Sequence, residues 1–358
     1  MSSSQDESAA GPKAAADAGT TGAATGSARR ADVPALLVAA GAFLVTLALL
    51  LRFPVHGQLA RLPDGGHLTW RLEAASARYL DTTTWRTRED AELVRRIDAV
   101  GAPVPGAADR AAWNVSATTS GPDGTLGHLA WRVTVDRESG ETVACCGGHV
   151  GGDHSVRPGG LGPWWPPGGG EVERPVFDPD LRTAVPAAPG GADVIAGVPT
   201  ERYVQTVGPA VVPEPARPVP ASLFGSDARG TVGAARWVAA ERVYWVEPVT
   251  GRVVQMRERR TETLRPVDGE IEGDAPERVL LAADFRTPLS DATANATAAG
   301  RRADLLTSTR TALPAGLAGI GALLILAGFV RRAAAGRTAD GKPSASGRRT
   351  DAVRRRAG

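Results

Sequence analysis

The only two cysteines of the chain, Cys145 and Cys146, are adjacent. Thiolate and imidazole groups are good zinc ligands, and His149, Asp153 and His154 follow within nine residues. The spacing is not that of a zinc finger, and neighbouring residues of an extended strand point to opposite faces, which disfavours a shared metal ion. We therefore predict a disulfide bond between the two cysteines. Bonds to another chain and free thiols are the alternatives.

The paired tryptophans Trp164 and Trp165 lie in a loop rich in glycine and proline. Two exposed indoles in such a loop could contact lipid head groups or close a pocket, because an indole joins a large apolar ring to one polar N–H. In the alternative arrangement, which we favour, the aromatic rings hold the loop against the core.

Motifs of the common enzyme and cofactor-binding classes are absent from the sequence. It contains no Gly-x-Ser-x-Gly elbow, no phosphate-binding P-loop, no His-Glu-x-x-His and no dinucleotide-binding glycine pattern. The five histidines form no motif, and the 39 acidic residues are scattered along the chain. We therefore predict a non-enzymatic protein without a cofactor or a metal ion.

Two uncharged apolar runs, residues 33–51 and 311–330, are each long enough to cross a bilayer. A helix rises about 1.5 Å per residue, so roughly 20 residues span a hydrocarbon core of about 30 Å. The first run is longer than the apolar stretch of a signal peptide and is not followed by an Ala-x-Ala cleavage site, which favours a signal anchor. The sequence therefore predicts two transmembrane helices.

Basic residues set the orientation of these spans, because cytoplasmic flanks retain an excess of Lys and Arg. The tail after residue 330 is rich in arginine, and Lys13, Arg29 and Arg30 precede the first span. Both termini are therefore predicted to be cytoplasmic. This makes the chain a multi-pass protein of the plasma membrane with an extracytoplasmic central domain.

The central segment, residues 52–310, carries 29 basic and 33 acidic residues, although the whole chain has a net charge of +2. It is slightly acidic and gives no reason to expect a nucleic-acid partner. Residues 1–32 and the basic tail 331–358 contain few large apolar side chains. Both are predicted to be disordered, since they cannot bury enough surface to offset the entropy of ordering.

Period-2 patterns rich in Val, Trp and Tyr predict strands in the central segment. Two hairpins stand out, 131–143 and 243–254, and each turn ends in a glycine that suits a positive φ. Clusters of Gly and Pro residues interrupt the segment often, which predicts that the strands are short. The further strand candidates are residues 68–72, 113–118, 200–207 and 278–285.

Two helical segments are predicted outside the spans. Residues 90–100 are predicted to form a surface helix or an irregular segment. Residues 291–310, rich in Ala and Leu, are predicted to form a helical stalk that continues into the second span. The predicted fold class is α+β. Two transmembrane helices flank a mainly antiparallel β domain over residues 52–290.

Four motifs in this order along the chain resemble those of one membrane protein family. They are residues 51–54 (LRFP), Cys145-Cys146-Gly147, residues 177–182 (FDPDLR) and residues 245–251 (WVEPVTG), before an arginine-rich stalk and a final Leu-rich helix. The order is similar to that of the actinobacterial PorA-family porins over residues 33–332. That family often carries Asn where this chain has Ala144. The resemblance implies an actinobacterial cell-envelope protein.

Three functions follow from this organisation. An outer-membrane barrel needs strands of about ten residues with an apolar outer face, and long apolar helices would retain a chain in the inner membrane. We therefore favour an anchored β domain that binds or passes a lipid or another apolar envelope component. A channel-forming porin, as the family name implies, and a scaffold for envelope assembly are the alternatives. The oligomeric state is left open.

Overall fold

Long helices lie at both ends of the chain in this computed structural model, which describes residues 32–340 except 171, 226–228 and 268–275. Two helical stretches, Val33–Ala60 and Leu289–Ala335, are long and apolar enough to cross a membrane. Each contains one π-helical segment. The helices are Val33–Leu50 (α1), His56–Ala60 (α2), Leu289–Thr307 (α3) and Leu313–Asp340 (α4), and the π-helical segments are Leu51–Val55 and Ser308–Ala312.

The outer ends of α1 and α4 belong to one compact unit, which includes α1 up to Ala42 and α4 from Leu323. In this unit, a Cβ atom added to Gly328 would meet the side chain of Val38 and the carbonyl oxygen of Pro34. Glycine therefore permits the close approach of the two helices, as small residues do between membrane helices.

The second unit, residues Phe43–Ala322, contains the β domain. Among the described residues, thirteen strands form one antiparallel sheet that curves into a half-barrel. They are Gly66–Asp81 (β1), Arg86–Val104 (β2), Ala107–Gly121 (β3), Gly124–Asp136 (β4), Thr142–Val143 (β5), His149–Val150 (β6), Arg174–Asp178 (β7), Thr183–Ile195 (β8), Val198–Val211 (β9), Arg217–Pro220 (β10), Thr231–Glu247 (β11), Arg252–Pro266 (β12) and Arg278–Arg286 (β13).

The order of strands in the sheet is β5-β4-β3-β2-β1-β13-β12-β11-β9-β8-β7, with β6 paired to β4 and β10 paired to β11. Leu161 joins the two edges of this path, because it forms an antiparallel bridge with Glu141 and a parallel bridge with Val176. Its amide donates to the carbonyl of Pro175 at 2.7 Å. The loop that carries Leu161 therefore closes the half-barrel at this point.

Both helical stretches leave the half-barrel from one end, which we call the helix end. Strand β1 begins at Gly66 soon after α2, and β13 finishes at Arg286 just before α3. Since β1 and β13 are antiparallel neighbours, these two points lie at the same end of the sheet. The opposite end is called the far end.

The stalk helix α3 packs against the β domain through small residues. Ala296 and Ala299 are fully buried with Val254 of β12, and Asn295 Nδ2 donates to the carbonyl oxygen of Val254 at 3.2 Å. Further along, Arg302 Nη2 donates to the carbonyl oxygen of Leu59 at 2.8 Å. The two helical stretches are thus tied to each other near the helix end.

Most of the predicted elements are confirmed. The strand candidates 68–72, 113–118, 200–207 and 278–285 lie within β1, β3, β9 and β13. Both hairpins form, with Val135 opposite Thr142 and Glu247 opposite Arg252. The turn glycines Gly140 and Gly251 have φ angles of 74° and 68°. The predicted helix 291–310 is α3 with its π-helical continuation.

The prediction of a surface helix or irregular segment at residues 90–100 is wrong, because this segment is the interior of β2. Leu93, Arg95 and Ile97 face inward, and the strand pairs with β1 on one side and β3 on the other. An inward arginine and the 52% exposed Val100 hide the period-2 pattern that a strand normally shows.

The strands are also longer than predicted. Strand β8 contains Pro186 and Pro189 yet extends over 13 residues, and its pairing with β9 shifts between Pro189 and Ala192. Bulges of this kind absorb Gly and Pro without ending a strand. Of the predicted disordered tails, residues 1–31 and 341–358 lie outside the described residues. Helix α4 continues ten residues beyond the predicted end of the span, to Asp340.

Candidate functional site

Charged side chains occupy the inner face of the half-barrel. On β12, Glu258, Arg260 and Glu262 are 1%, 3% and 9% exposed. Residues two apart on a strand share a face, so the alternation in this sequence directs all three inward. On the neighbouring strand β11, Arg242 lies directly opposite Glu258. The sheet therefore brings opposite charges together in its interior.

Eight of these side chains form one network, which we call the ion-pair ladder. At its centre, Glu258 Oε2 lies 2.9 Å from Arg95 Nε, and Glu258 Oε1 lies 2.9 Å from Arg242 Nε and 3.3 Å from Arg260 Nη1. Glu258 thus contacts three arginines that come from three strands. The members of the ladder are Arg95, Arg236, Arg242, Arg260, Asp178, Asp180, Glu258 and Glu262.

Neighbouring charges keep the ladder ionised in spite of its burial. Burial alone would raise the pKa of Glu258, but the charges of Arg95, Arg242 and Arg260 outweigh it and lower that pKa to about 2. The pKa of Asp180 is lowered in the same way, chiefly by Arg260 after the opposing effect of burial. Glu258 and Asp180 are therefore charged throughout the physiological pH range.

An apolar cavity of about 110 Å³ lies beside the ladder. Its wall includes three tryptophan rings, those of Trp70, Trp131 and Trp165, and its charged members are Arg95, Arg242 and Glu258. An engineered apolar cavity of about 150 Å³ is known to bind benzene, so this volume suits a slightly smaller apolar group. The remaining lining residues are Ile97, Val115, Leu161, Gly162, Pro163, Val176, Phe177, Pro179, Tyr244, Val253 and Met256.

A larger polar cleft of about 420 Å³ lies on the other side of the ladder, towards the far end. Its lining includes Arg236, Arg260 and Glu262 of the ladder together with hydroxyl groups such as those of Tyr79 and Thr125. The ladder therefore separates an apolar space from a polar one.

The loop with the paired tryptophans packs against the core. Trp164 and Trp165 are 7% and 4% exposed. The ring centroid of Trp164 lies 5.5 Å from that of Trp113 in an edge-on contact, and Trp165 lies 4.3 Å from Tyr203. Of the two arrangements open from the sequence, the structure adopts the one in which the rings hold the loop on the core. Trp165 also forms part of the wall of the apolar cavity.

Cys145 and Cys146 are bonded to each other, with their Cα atoms 3.8 Å apart. Cys146 has a φ angle of 61°, and Gly147 after it has 77°. Of the other residues considered as metal ligands, His149 and His154 lie edge to face at 5.1 Å, and Asp153 pairs with Arg182 at 2.7 Å. Within the part of the chain that the structure describes, no group of three or more His, Cys, Asp or Glu residues could hold a metal ion.

We predict that the double variant Cys145→Ser, Cys146→Ser lowers the free energy of unfolding by only about 1 kcal/mol. A disulfide stabilises chiefly by closing a loop in the unfolded chain, and a loop between adjacent residues removes little entropy. Urea unfolding followed by tryptophan fluorescence measures the effect. A loss above about 3 kcal/mol, near that of an ordinary structural disulfide, would contradict it.

The ion-pair ladder was missed by the sequence reasoning, which took the carboxylates for solvated surface. A signal was present in the alternation of Glu258, Arg260 and Glu262, although a bulge after Val253 shifts the inward phase relative to the predicted strand at residues 252–254. Charges at alternate positions of a strand with a buried face indicate a polar interior.

Comparison with known proteins gives one family. The family model described as Porin PorA matches residues 33–330, which is most of the chain and includes both apolar helices and the whole half-barrel. A search of curated proteins found no match. With its two helices that can cross a membrane, the chain is a membrane-associated protein. It belongs to the PorA family.

Proposed function

We propose that this protein is a non-enzymatic cell-envelope protein whose half-barrel binds the apolar part of a lipid or of another apolar envelope component. The apolar cavity is the observation that supports the proposal. Its wall is built from aromatic and aliphatic side chains with a few polar groups at one side, the composition typical of small-molecule sites. Transfer of apolar surface from water into such a space is favourable by about 25 cal/mol per Å².

The two helices that can cross a membrane fit a protein that binds components of the cell envelope. The long stretch Leu289–Ala335 exceeds what one bilayer crossing needs, since about 20 residues suffice. Its first part, α3, lies on the β domain. We place the β domain outside the cytoplasm, above the plasma membrane, because the arginine-rich tail favours cytoplasmic termini.

Tryptophan fluorescence tests the proposal on the full chain in phosphatidylcholine nanodiscs. All eight tryptophans lie in the segment between the two apolar helices, so the fluorescence signal comes from the β domain. The probe is 3-bromopropanol, an uncharged molecule short enough for a cavity of about 110 Å³, whose bromine quenches indole on contact. We expect saturable quenching, because Trp70, Trp131 and Trp165 line the cavity.

A cavity-filling variant gives the matched comparison. Val253 lines the cavity, so Val253→Phe should weaken the quenching at least about tenfold in probe concentration. Val100 is 52% exposed on β2, and Val100→Phe should leave the quenching unchanged. Absence of saturable quenching in the natural chain, or equal quenching in both variants, would refute apolar binding in this cavity. A scaffold role would then be the better proposal.

Ion conduction is a second candidate, because the matching family is described as a porin. The ion-pair ladder crosses the interior of the half-barrel between the apolar cavity and the polar cleft, and its buried charges contact one another. Planar-bilayer recordings on the pure protein decide this candidate. Stepwise currents would support it, and silence over a wide voltage range would reject it.

A further inference from the structure

Arg95 occupies a special place in the half-barrel. Of the residues that the structure describes, it alone is shared by the linings of the apolar cavity and the polar cleft. Its side chain is 11% exposed and comes from the middle of β2. A molecule with an apolar part in the cavity and a polar part in the cleft would pass directly beside this guanidinium.

Arg95 is also the least compensated arginine of the ladder. Arg236, Arg242 and Arg260 each have three carboxylates within 4.0 Å. Among the described residues, Arg95 has only Glu258, which it shares with Arg242 and Arg260. A buried charge with too few partners is unfavourable, so a further anion at Arg95 would be stabilising.

The donors of Arg95 are incompletely used. Its Nη1 donates to Thr119 Oγ1 at 2.9 Å. Its Nε lies close to Glu258 but is buried without an aligned hydrogen bond. In the described part of the chain no partner is found for Nη2. The outer edge of the guanidinium, which carries Nη1 and Nη2, is therefore available for the two parallel hydrogen bonds that an anionic oxygen pair accepts.

We propose that Arg95 binds the anionic head group, carboxylate or phosphate, of a single-chain amphiphile whose short apolar chain lies in the adjoining cavity of about 110 Å³. This inference rests on the proposed function, since it needs the apolar chain to enter the cavity. The ligand class is thereby narrowed from apolar components in general to anionic amphiphiles.

The electrostatics of the ladder agrees with this assignment. Burial lowers the pKa of Arg95, and the charges of Glu258 and the more distant Asp180 do not offset that effect. For Arg242, burial also lowers the pKa, but the charges of Asp178 and Glu258 outweigh it and the pKa rises. The polar cleft supplies hydroxyl groups for the rest of the head group, with those of Thr119 and Thr125 in its wall.

The test compares probes that share a brominated chain and differ in the head group. The full chain in phosphatidylcholine nanodiscs is titrated with 3-bromopropanol, 3-bromopropanoate and 3-bromopropyl phosphate, at a pH where the acids are ionised. We expect the better of the two anions to quench at about tenfold to hundredfold lower concentration than the alcohol, as charge-assisted hydrogen bonds would produce. The better anion identifies the head group.

Variants at two neighbouring positions of β2 test whether the preference for the anion depends on Arg95. Arg95→Gln should remove the preference for the anion over the alcohol. Arg96→Gln is the matched control, because Arg96 is the next residue on β2, is 57% exposed and pairs with Asp98 on the outside. It should keep the full preference. If Arg95→Gln fails to fold, Arg95→Lys provides the test. Lysine keeps the positive charge but lacks the paired N–H donors of the guanidinium, so this variant should reduce the preference for the anion over the alcohol.

The outcomes are distinguishable. Equal binding of anion and alcohol by the natural chain would overturn the role of Arg95 and leave apolar binding intact. A preference that survives in both Arg95 variants would overturn it as well. Absence of quenching by every probe would instead refute the proposed function itself.

Discussion

Replacement of Glu258 by glutamine should lower the free energy of unfolding by about 3–5 kcal/mol, the usual cost of breaking a buried ion pair. Glu258 is 1% exposed and contacts Arg95, Arg242 and Arg260. Glutamine keeps the shape but removes the charge, so these three buried arginines lose their shared partner. For a domain of this size the melting temperature should fall by about 6–20 °C.

Glu241→Gln is the matched control for Glu258→Gln. Glu241 lies one residue before Arg242 on β11 and pairs with Arg259 at 3.5 Å, with both side chains more than 40% exposed. Exposed pairs contribute about 0–1 kcal/mol. Thermal unfolding of the detergent-solubilised variants by circular dichroism measures both. If the two variants melt within about 2 °C of each other, the ladder is not a stabilising feature.

The same pair of proteins should differ in pH dependence. The pKa of Glu258 is lowered from 4.5 to about 2, so the stability that it contributes is present above pH 4.5 and is lost as the pH falls towards 2. This difference corresponds to about 3 kcal/mol. Glu258→Gln should lack this component and show a flatter acid limb than the natural chain.

The sequence predicted those parts of the fold in which local chemistry decides the structure. Apolar runs predicted both long helices, because a span has a fixed length. The turn glycines Gly140 and Gly251 predicted both hairpins, because few other residues adopt a positive φ without strain. In these segments the information lies within about 20 neighbouring residues.

The parts that were missed depend on partners far apart in the chain. Arg95 of β2 pairs with Glu258 of β12, more than 160 positions later. Each charge alone looks like solvated surface, and only the closed curve of the sheet shows that they meet. The packing of the Trp164 and Trp165 loop on the core was predicted, but its partners Trp113 and Tyr203 were not, since they come from the distant strands β3 and β9.

Gly251→Ala should displace the loop of Trp165 and cost about 4–7 kcal/mol. Gly251 has a φ angle of 68°, and a left-handed conformation costs a non-glycine residue about 1–2 kcal/mol. In addition, a Cβ atom here would clash with the carbonyl oxygen of Trp165, whose amide donates to the carbonyl oxygen of Gly251 at 3.3 Å. Loss of a buried tryptophan from its site costs about 3–5 kcal/mol more.

Gly106→Ala separates these two contributions. Gly106 has a φ angle of 77°, and a Cβ atom there would meet nothing within 4 Å, so this variant carries the backbone cost without the clash. Of the two variants, only Gly251→Ala should shift the tryptophan emission to the red and increase quenching by acrylamide. It should also weaken binding of 3-bromopropanol, because Trp165 is part of the cavity wall. Equal emission and stability in both variants would mean that the loop is held by contacts other than the turn at Gly251.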